Sequence, residues 1–321
     1  MVEAKIKQQE EILRFRVRQY LKEQKWGSEL KRTVNQLELE GGSVYVVGGF
    51  LRDLMIYGTS AEPRDFDVVF EGVSADKVEY LFWNTPKRKN RFGGMRLEFG
   101  DCPFDVWSLK DTWAFRNRKV HQVNVSALPQ TTFLNIDAIV FKLGRNSEDE
   151  IFSNGFFEGI STRTLEINLE DNPFPETCIV RSLLMASKLK FAIGPRLASY
   201  ISHYSKNASL TELQRIQKTH YGFVELDGAD LRFCFDAIKS QLRCPKKTVV
   251  FLPQRQLKFE GASLERERRS ESKVKTWISK ISEIAFVNTK YVRQLRNRRA
   301  TMGNPSIFVF NIPQKWLKKA Q

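Results

Sequence analysis

Apolar residues recur at helical spacing over residues 1–40, among Lys, Arg, Glu and Gln. Because residues three and four apart lie on one face of a helix, this pattern predicts an amphipathic helical segment. Gly27 and Ser28 interrupt the pattern and divide the segment into two helices. An apolar face of this kind is more typical of a helix that packs on its own core than of one that binds a partner.

Short runs of β-branched and aromatic residues alternate with helical patterns from residue 43 to about residue 165. Such runs are typical of buried strands. The predicted strands cover residues 43–47, 64–70, 95–99, 104–109, 122–125 and 136–143, and the predicted helices cover residues 51–57 and 75–83. This order predicts an α/β (α+β) domain built on a mixed sheet.

Helical patterns dominate after Pro173 and Pro175. The predicted helices cover residues 179–191, 196–206, 210–220, 229–243 and about 272–298, and a short strand or apolar insert is expected at 248–252. We therefore expect four segments. They are an N-terminal helical segment (1–40), an α/β head domain (41–165), a mainly α-helical neck and body (166–245) and a basic C-terminal segment (246–321).

The net charge points to a class of partner. Lys and Arg outnumber Asp and Glu by 52 to 37, which gives a formal net charge of +15. An excess of this size favours a polyanionic partner, with nucleic acid ahead of an anionic membrane surface. The simpler alternative is that the charge only keeps the protein soluble.

The excess is concentrated near the end of the chain. No Asp or Glu follows Glu283, whereas residues 284–321 contain eight basic residues. Five of these lie close together in sequence: Lys290, Arg293, Arg296, Arg298 and Arg299. Aromatic residues are interleaved with the basic ones. Basic groups neutralise phosphates and aromatic rings stack on unpaired bases, so an RNA-binding segment and a plain solvated face are equal alternatives here.

Other classes of protein find no support in the sequence. The four cysteines form no Cys-x-x-Cys pair and there are three histidines, which argues against a zinc module or a disulfide framework. The first residues lack the apolar core of a signal peptide, and no apolar run approaches the ~20 residues that span a bilayer. We expect a cytoplasmic protein without a membrane partner.

Asp65 and Asp67 carry the first candidate chemistry. They are two residues apart on a predicted strand, so both carboxylates point to one face. Two such carboxylates repel each other unless a cation lies between them, and hard oxygen ligands suit Mg²⁺ or Mn²⁺. Acid-x-acid pairs also arise by chance in a chain with 37 acidic residues.

Gly48 and Gly49 separate a predicted strand from a predicted helix. Backbone N–H groups at such a helix start can bind a phosphate, although a tight turn without a ligand has the same sequence. Arg52 lies in the first turn of that helix, where it can reach a triphosphate. Asp53 can pair with Arg52 or cap the helix.

Asp105 is the candidate third carboxylate. It lies on a predicted strand between Phe104 and Val106, where an acid is costly to bury unless it is paired or metal-bound. This favours a metal ligand over a turn or edge acid. Asp101, in the preceding turn, is the competing candidate.

These motifs resemble those of a known family. Gly-Gly-x-x-Arg-Asp at residues 48–53, followed by Asp-x-Asp at residues 65–67, resembles the head domain of class II poly(A) polymerases and CCA-adding tRNA nucleotidyltransferases. These enzymes belong to the DNA polymerase beta-like nucleotidyltransferase superfamily. Four further stretches are similar to the family's third-carboxylate strand, its Phe-Thr-Ile-Asn-Ala segment, the turn before its neck and its neck helix: residues 91–107, 134–138, 152–160 and 181–191.

The resemblance, which covers about residues 40–200, implies an activity. It implies metal-dependent transfer of a nucleotide from an NTP, ATP or CTP, to the 3′ end of an RNA such as tRNA. Asp65, Asp67 and Asp105 would be catalytic and hold Mg²⁺ or Mn²⁺. The nucleotide-binding residues would be Gly48, Gly49, Arg52, Asp53, Lys110 and Arg181.

The sequence also departs from the family. Gln130-Thr131-Thr132 stands where the family has Arg-Arg-Asp, little of the neck motif Glu-Asp-x-x-Arg remains, and Lys110 replaces an arginine. These changes favour a relaxed or different nucleotide choice, or another acceptor, over CCA addition. Two alternatives stay open: a protein or small-molecule hydroxyl as acceptor, and a catalytically silent RNA-binding protein on the same fold.

Overall fold

A seven-stranded sheet organises the first part of the chain in the computed structural model, which describes residues 2–82, 85, 87–89, 94–99, 102–144 and 150–243. Its strands are β1 (Ser43–Val47), β2 (Phe66–Glu71), β3 (Lys87–Lys89), β4 (Met95–Phe99), β5 (Cys102–Ser108), β6 (Ile139–Leu143) and β7 (Ile151–Ser153). They lie in the order β3-β4-β5-β2-β1-β6-β7. The pair β2 and β5 is parallel and the other neighbouring pairs are antiparallel, so the sheet is mixed.

Helices flank this sheet and make up most of the described chain after it. The helices are α1 (Val2–Glu23), α2 (Gly27–Leu39), α3 (Gly49–Tyr57), α4 (Ala75–Leu81), α5 (Trp113–Arg116), α6 (Phe156–Thr162), α7 (Pro175–Leu189), α8 (Pro195–Tyr204), α9 (Leu210–Tyr221) and α10 (Gly228–Leu242). A small parallel pair, β8 (Thr164–Leu165) and β9 (Ala192–Ile193), lies among the later helices. All described residues belong to one compact unit.

One face of the sheet is covered by α1, α2 and α3. Their apolar residues pack with every second residue of the central strands, as the two-residue period of a strand requires. Phe66 is the centre of this core: its ring stacks on Phe104 at 4.8 Å and meets Phe50 at 4.3 Å and Trp26 at 5.0 Å between centroids. Phe66 comes directly between Asp65 and Asp67, so this packing sets the position of both acids.

The opposite face of the sheet and the helical part have cores of their own. Short 3₁₀ segments between residues 109 and 131 cover the side chains of Tyr45, Val69 and Val140. The helices α7 to α10 pack around Ile179 and Leu183, and Leu134 and Ile136, which precede β6, join that cluster. The segment before β6 therefore connects the sheet to the helical core.

The fold class predicted from the sequence is confirmed: a mixed sheet with helices is followed by a mainly helical part. The two N-terminal helices, the strand at 43–47 and the hairpin formed by β4 and β5 are confirmed as well. The break between the two helices covers residues 24–26, so Gly27 and Ser28 begin α2 instead of separating the helices. The predicted strand at 248–252, the predicted helix at 272–298 and the whole basic C-terminal segment (246–321) lie outside the described residues.

The predicted strand at residues 122–125 is wrong. Asn124 instead caps a 3₁₀ segment, Val125–Thr131, by accepting a hydrogen bond from the Ala127 backbone N–H at 2.9 Å. Pro129 lies inside that segment, and proline lacks the N–H that a ladder needs. The strand predicted to begin at residue 136 begins at Ile139, because Asn135–Asp137 forms another 3₁₀ turn.

The aromatic cluster makes a stability prediction. Replacing Phe66, which is fully buried, with Ala removes four ring contacts and should lower the free energy of unfolding by about 3–5 kcal/mol. Phe15→Ala on α1, where the side chain is 67% exposed, is the matched control and should change it by less than about 0.5 kcal/mol. Urea unfolding followed by tryptophan fluorescence measures both. Equal losses in the two variants would contradict the assignment of this core.

Candidate active site

Three carboxylates come together where β2 and β5 run side by side. Asp67 and Asp105 are direct partners in the parallel register of these strands. Neighbouring strands are about 4.8 Å apart, and directly opposed side chains point to the same face. Asp65 precedes β2 by one residue and lies on the same side as Asp67, since a strand alternates its side chains.

The Asp67 carboxylate is the least compensated acid of the three. Burial raises its pKa to about 7, the negative charges of Asp65 and Asp105 act in the same direction, and Arg181 opposes them. Among the described residues, none donates a hydrogen bond to this carboxylate. Burial also raises the pKa of Asp105. At such a site, where the charges of neighbouring acids raise the pKa of Asp67, a cation would add the missing positive charge.

Two arginines already pair with the outer acids. Arg64 lies 3.0 Å from Asp65 Oδ2, and Arg96 lies 3.0 Å from Asp105 Oδ2. Both guanidinium groups are substantially exposed, with 68% and 45% of the side chain accessible. Within the described part of the chain, no group of three or more Asp, Glu, His or Cys side chains is arranged to hold a metal ion.

A glycine turn at the end of β1 faces the same site. Gly48 adopts φ 69° and ψ −125°, a conformation that residues with a side chain rarely adopt. Its N–H donates to the carbonyl oxygen of Ile139 at 3.1 Å, which fixes the turn on β6. The helix α3 then begins at Gly49, so the first N–H groups of that helix point out of its N-terminus.

A buried ion-pair network lies behind this turn. Asp137 accepts from Arg52 Nη1 at 2.5 Å and from Arg181 Nη2 at 2.7 Å, and Arg52 also donates from Nε to Asp53 at 2.8 Å. Arg52 and Asp137 are each only 5% exposed. Burial opposes ionisation of Asp137, but the charges of Arg181 and Arg52 outweigh it and lower the pKa of Asp137.

Sequence reasoning did not identify Asp137 as a site residue. Its signal was available, because an acid in the apolar stretch Ile136–Val140 is costly to bury without a partner. The structure also gives Arg52 a different environment from the expected one. Its guanidinium is held between Asp53 and Asp137, instead of being open to a triphosphate.

Two cavities meet at Asp67. The first, here called the helix-side cavity, has a volume of about 420 Å³ and lies between α3 and the helices α7 and α9. Its wall includes Gly49, Arg52, Asp53, Asp65, Asp67, Arg181, Lys188, His220 and Tyr221. It therefore combines the glycine turn, two of the acids and the predicted arginine of α7.

The second cavity, here called the strand-side groove, has a volume of about 780 Å³ and lies over β3, β4 and β5. Its wall includes Asp67, Arg88, Lys89, Arg96, Asp105, Trp107, Trp113 and Phe174. Asp67 is shared by the two cavities, with Asp65 on the side of one and Asp105 on the side of the other.

Not every predicted site residue belongs to this arrangement. Lys110 lies exposed in a 3₁₀ turn and lines neither cavity. The five basic residues predicted to bind RNA, Lys290, Arg293, Arg296, Arg298 and Arg299, lie outside the described residues. Across the described ranges, no helix is both long enough and apolar enough to span a bilayer.

Comparison with known proteins gives similar solved structures but no matching family. No protein-family model matches the chain, and no curated protein matches it either. Among solved structures, the Thermotoga maritima CCA-adding enzyme complexed with tRNA is 19% identical with a TM-score of 0.48, over 63% of this chain and 49% of that one. A tRNA-processing enzyme in an apo form is 20% identical with a TM-score of 0.47, over 60% and 51%.

A third similar structure is a tRNA nucleotidyltransferase complexed with a primer tRNA and an incoming ATP analogue. It is 18% identical with a TM-score of 0.47, over 58% of this chain and 55% of that one. This chain therefore spans about half the length of the solved structures it matches.

The buried network makes a second stability prediction. Asp137→Ala leaves the buried Arg52 guanidinium with one counter-charge instead of two, and should lower the free energy of unfolding by about 3 kcal/mol. Asp171→Ala removes an exposed pair with Lys119 and is the matched control, with an expected loss below about 1 kcal/mol. Urea unfolding at pH 7 measures both. A wild-type midpoint in the Asp137 variant would show that the network contributes nothing.

The raised pKa of Asp67 predicts how stability depends on pH. The folded-state pKa, about 7, is above the ordinary value of about 3.9, so the folded state binds this proton more tightly than the unfolded state. This acid therefore lowers the free energy of unfolding as pH rises from about 4 to about 7. With a metal chelator present, the free energy of unfolding of Asp67→Asn should exceed that of the wild type by at least about 1 kcal/mol at pH 8. The two values should be equal near pH 4.

Asp236→Asn, an exposed acid on α10, is the control for this measurement and should follow the wild type at both pH values. Urea unfolding at pH 4, 6 and 8 gives the comparison. An Asp67→Asn variant that gains no stability at pH 8 relative to pH 4 would contradict the crowding of acids at this site.

Proposed function

We propose that this protein is a metal-dependent nucleotidyltransferase that adds a nucleotide from an NTP to the 3′ end of an RNA, tRNA or another. The observation that carries the proposal is the position of Asp67. Its carboxylate lies where the helix-side cavity and the strand-side groove meet, with Asp65 and Asp105 beside it. Two substrates that occupy the two cavities would have their reacting groups next to the same acids.

The donor set fits a divalent cation. Asp65, Asp67 and Asp105 offer only oxygen ligands, which suit Mg²⁺ or Mn²⁺, and the pKa of Asp67 near 7 reflects negative charge that the protein leaves uncompensated. When bound, such a cation supplies positive charge to the oxygens of the reacting phosphate. Arg64 and Arg96 would then release the outer acids, since each carboxylate would exchange a surface ion pair for the cation.

The chain's own residues would divide the work of binding. Gly48 and Gly49 bring the N-terminus of α3 to the helix-side cavity, where its N–H groups suit the triphosphate. Arg181, with 40% of its side chain exposed, extends from α7 into the same cavity. Arg52, which also pairs with Asp53, anchors α3 to Asp137. In this proposal Arg52 and Asp53 are therefore positioning residues. Lys110 lines neither cavity and would not contact the nucleotide.

The proposed reaction is a displacement at the α-phosphorus. The acceptor hydroxyl oxygen forms a bond to that phosphorus, the bond to the bridging oxygen breaks, and pyrophosphate leaves. In this proposal Asp105, on the groove side of Asp67, would take the proton of the hydroxyl. The RNA acceptor is favoured by the net charge of +15 over a protein or small-molecule hydroxyl.

A catalytically silent RNA-binding protein is the second candidate. One observation favours it: Asp65 and Asp105 are paired with arginines, and the described residues hold no three-ligand metal group. Under this alternative the arginine pairs are permanent and no cation displaces them.

One assay separates the candidates. The protein is incubated with Mg²⁺ or Mn²⁺, each of the four labelled NTPs and total RNA. Label should enter RNA, and Asp65→Ala combined with Asp67→Ala should reduce its incorporation at least about a hundredfold, because the charge stabilisation at the phosphate is lost. Asp236→Ala, remote from both cavities, is the matched control and should incorporate label at the wild-type rate.

Each other outcome of the assay has a meaning. Label that enters protein would overturn the RNA acceptor and keep the chemistry. No label in any product, with RNA still retained in a salt-sensitive way, would support the silent binder.

A further inference from the structure

A row of four charged side chains crosses the sheet and leads to the carboxylate site. In the strand registers, Arg88 on β3 is opposite Arg96 on β4, Arg96 is opposite Asp105 on β5, and Asp105 is opposite Asp67 on β2. Directly opposed residues point to the same face of a sheet, and all four line the strand-side groove. The floor of the groove is therefore positively charged near the edge of the sheet, at Arg88 and Arg96, and negatively charged at Asp105 and Asp67.

The positive end of this row carries more charge than its neighbours neutralise. Two arginines directly opposite each other on paired strands are unfavourable by themselves. Asp105 compensates Arg96, and Glu79 is shared by Lys87 and Lys89, each at 3.3 Å. All three residues of β3 are exposed, and β3 is the outermost strand. An anion such as a phosphate would relieve this surplus.

Aromatic rings line the groove beside this row. Trp107 follows Asp105 by two residues on β5 and therefore shares its face, and its Nε1 donates to Thr112 Oγ1 at 3.1 Å. Trp113, at the start of α5, and Phe174, 45% exposed just before α7, are part of the same wall. Basic groups that alternate with aromatic rings are typical of surfaces that bind single-stranded nucleic acid.

We propose that the strand-side groove binds the unpaired 3′-terminal segment of the acceptor RNA, with phosphates at Arg88 and Lys89 and bases on Trp113 and Phe174. The inference rests on the proposed function, which requires the terminal hydroxyl to reach Asp105 and Asp67. Arg88 and Asp67 are separated by three strand spacings, about 14 Å. That length suits an extended chain entering from the sheet edge better than a single small molecule.

The test measures RNA binding and nucleotide binding separately on the full-length protein. A fluorescent single-stranded oligoribonucleotide and fluorescent ATP and CTP analogues are titrated, each over a range of salt concentrations. Arg88→Gln with Lys89→Gln should weaken RNA binding several-fold and reduce the slope of log affinity against log salt by about 1.4, the value for two lost phosphate contacts to a single strand. Affinity for the nucleotide analogues should not change.

The aromatic variants test the other half of the inference. Phe174→Ala and Trp113→Ala should each weaken RNA binding at least about fivefold with an unchanged salt slope, because stacking is lost and charge is not. Trp113→Phe should keep most of the affinity, since a ring face remains. Arg232→Gln on α10 and Phe15→Ala on α1, both exposed and remote from the groove, are the matched controls.

The outcomes distinguish this inference from the proposed function. If Asp65→Ala with Asp67→Ala abolishes transfer to RNA while the Arg88/Lys89 and Phe174 variants bind RNA like the wild type, the groove assignment is wrong and the function stands. If the groove variants lose RNA binding while no NTP is incorporated, the groove stands and the enzyme does not. Loss of nucleotide-analogue binding in the groove variants, with RNA binding intact, would make the groove a nucleotide site and overturn the inference.

Discussion

The ion pairs of Asp137 are the interaction on which the geometry of the site depends. This carboxylate sits between a guanidinium from α3 and one from α7, so it connects the helix after the glycine turn with the first long helix of the helical part. A buried charge without partners is very costly, and both sides are therefore held to the distances that keep all three groups paired. If these two helices separated or rotated, the ion pairs of Asp137 would break and leave a buried charge without a partner. The ion pairs therefore hold the two walls of the helix-side cavity in place.

Two acids that lie close together in this site have opposite electrostatic surroundings. Asp137 is paired with two arginines, and their attraction lowers its pKa against the effect of burial. The pKa of Asp67 is raised to about 7, because burial and the negative charges of neighbouring acids outweigh the positive charge of Arg181. The two arginines thus compensate the charge of Asp137, which has a structural role. The charge of Asp67, where the two cavities meet, is left uncompensated. A fold selected for stability alone would have no reason for this distribution.

Much of the fold was predictable because local patterns and tertiary packing agree. The strand at 43–47 and the helix that ends before Gly58 follow from residue type and spacing alone. The failure at residues 122–125 has a local cause, since Asn124 and Pro129 favour a capped 3₁₀ turn over a ladder. The pairing of Asp67 with Asp105 depends on which strands become neighbours, and residue spacing does not show that. It was the resemblance to a known family that implied a shared site for the three acids. Asp137 shows the same limit. The sequence indicates that burying this acid is unfavourable without a partner, but it does not identify the partners, which are 85 and 44 residues away.

The parallel pairing of β2 and β5 has a consequence for how this site can change. Parallel neighbours need a connection that crosses over, and here that connection carries α4, β3 and β4 before it returns as β5. The ladder that aligns Asp67 with Asp105 is fixed in the middle of the sheet, while β3 is attached only through β4 at the rim. The crossover can therefore gain, lose or exchange residues without disturbing the alignment of the acids. A change in the outer wall of the strand-side groove can therefore leave the alignment of the two acids in place.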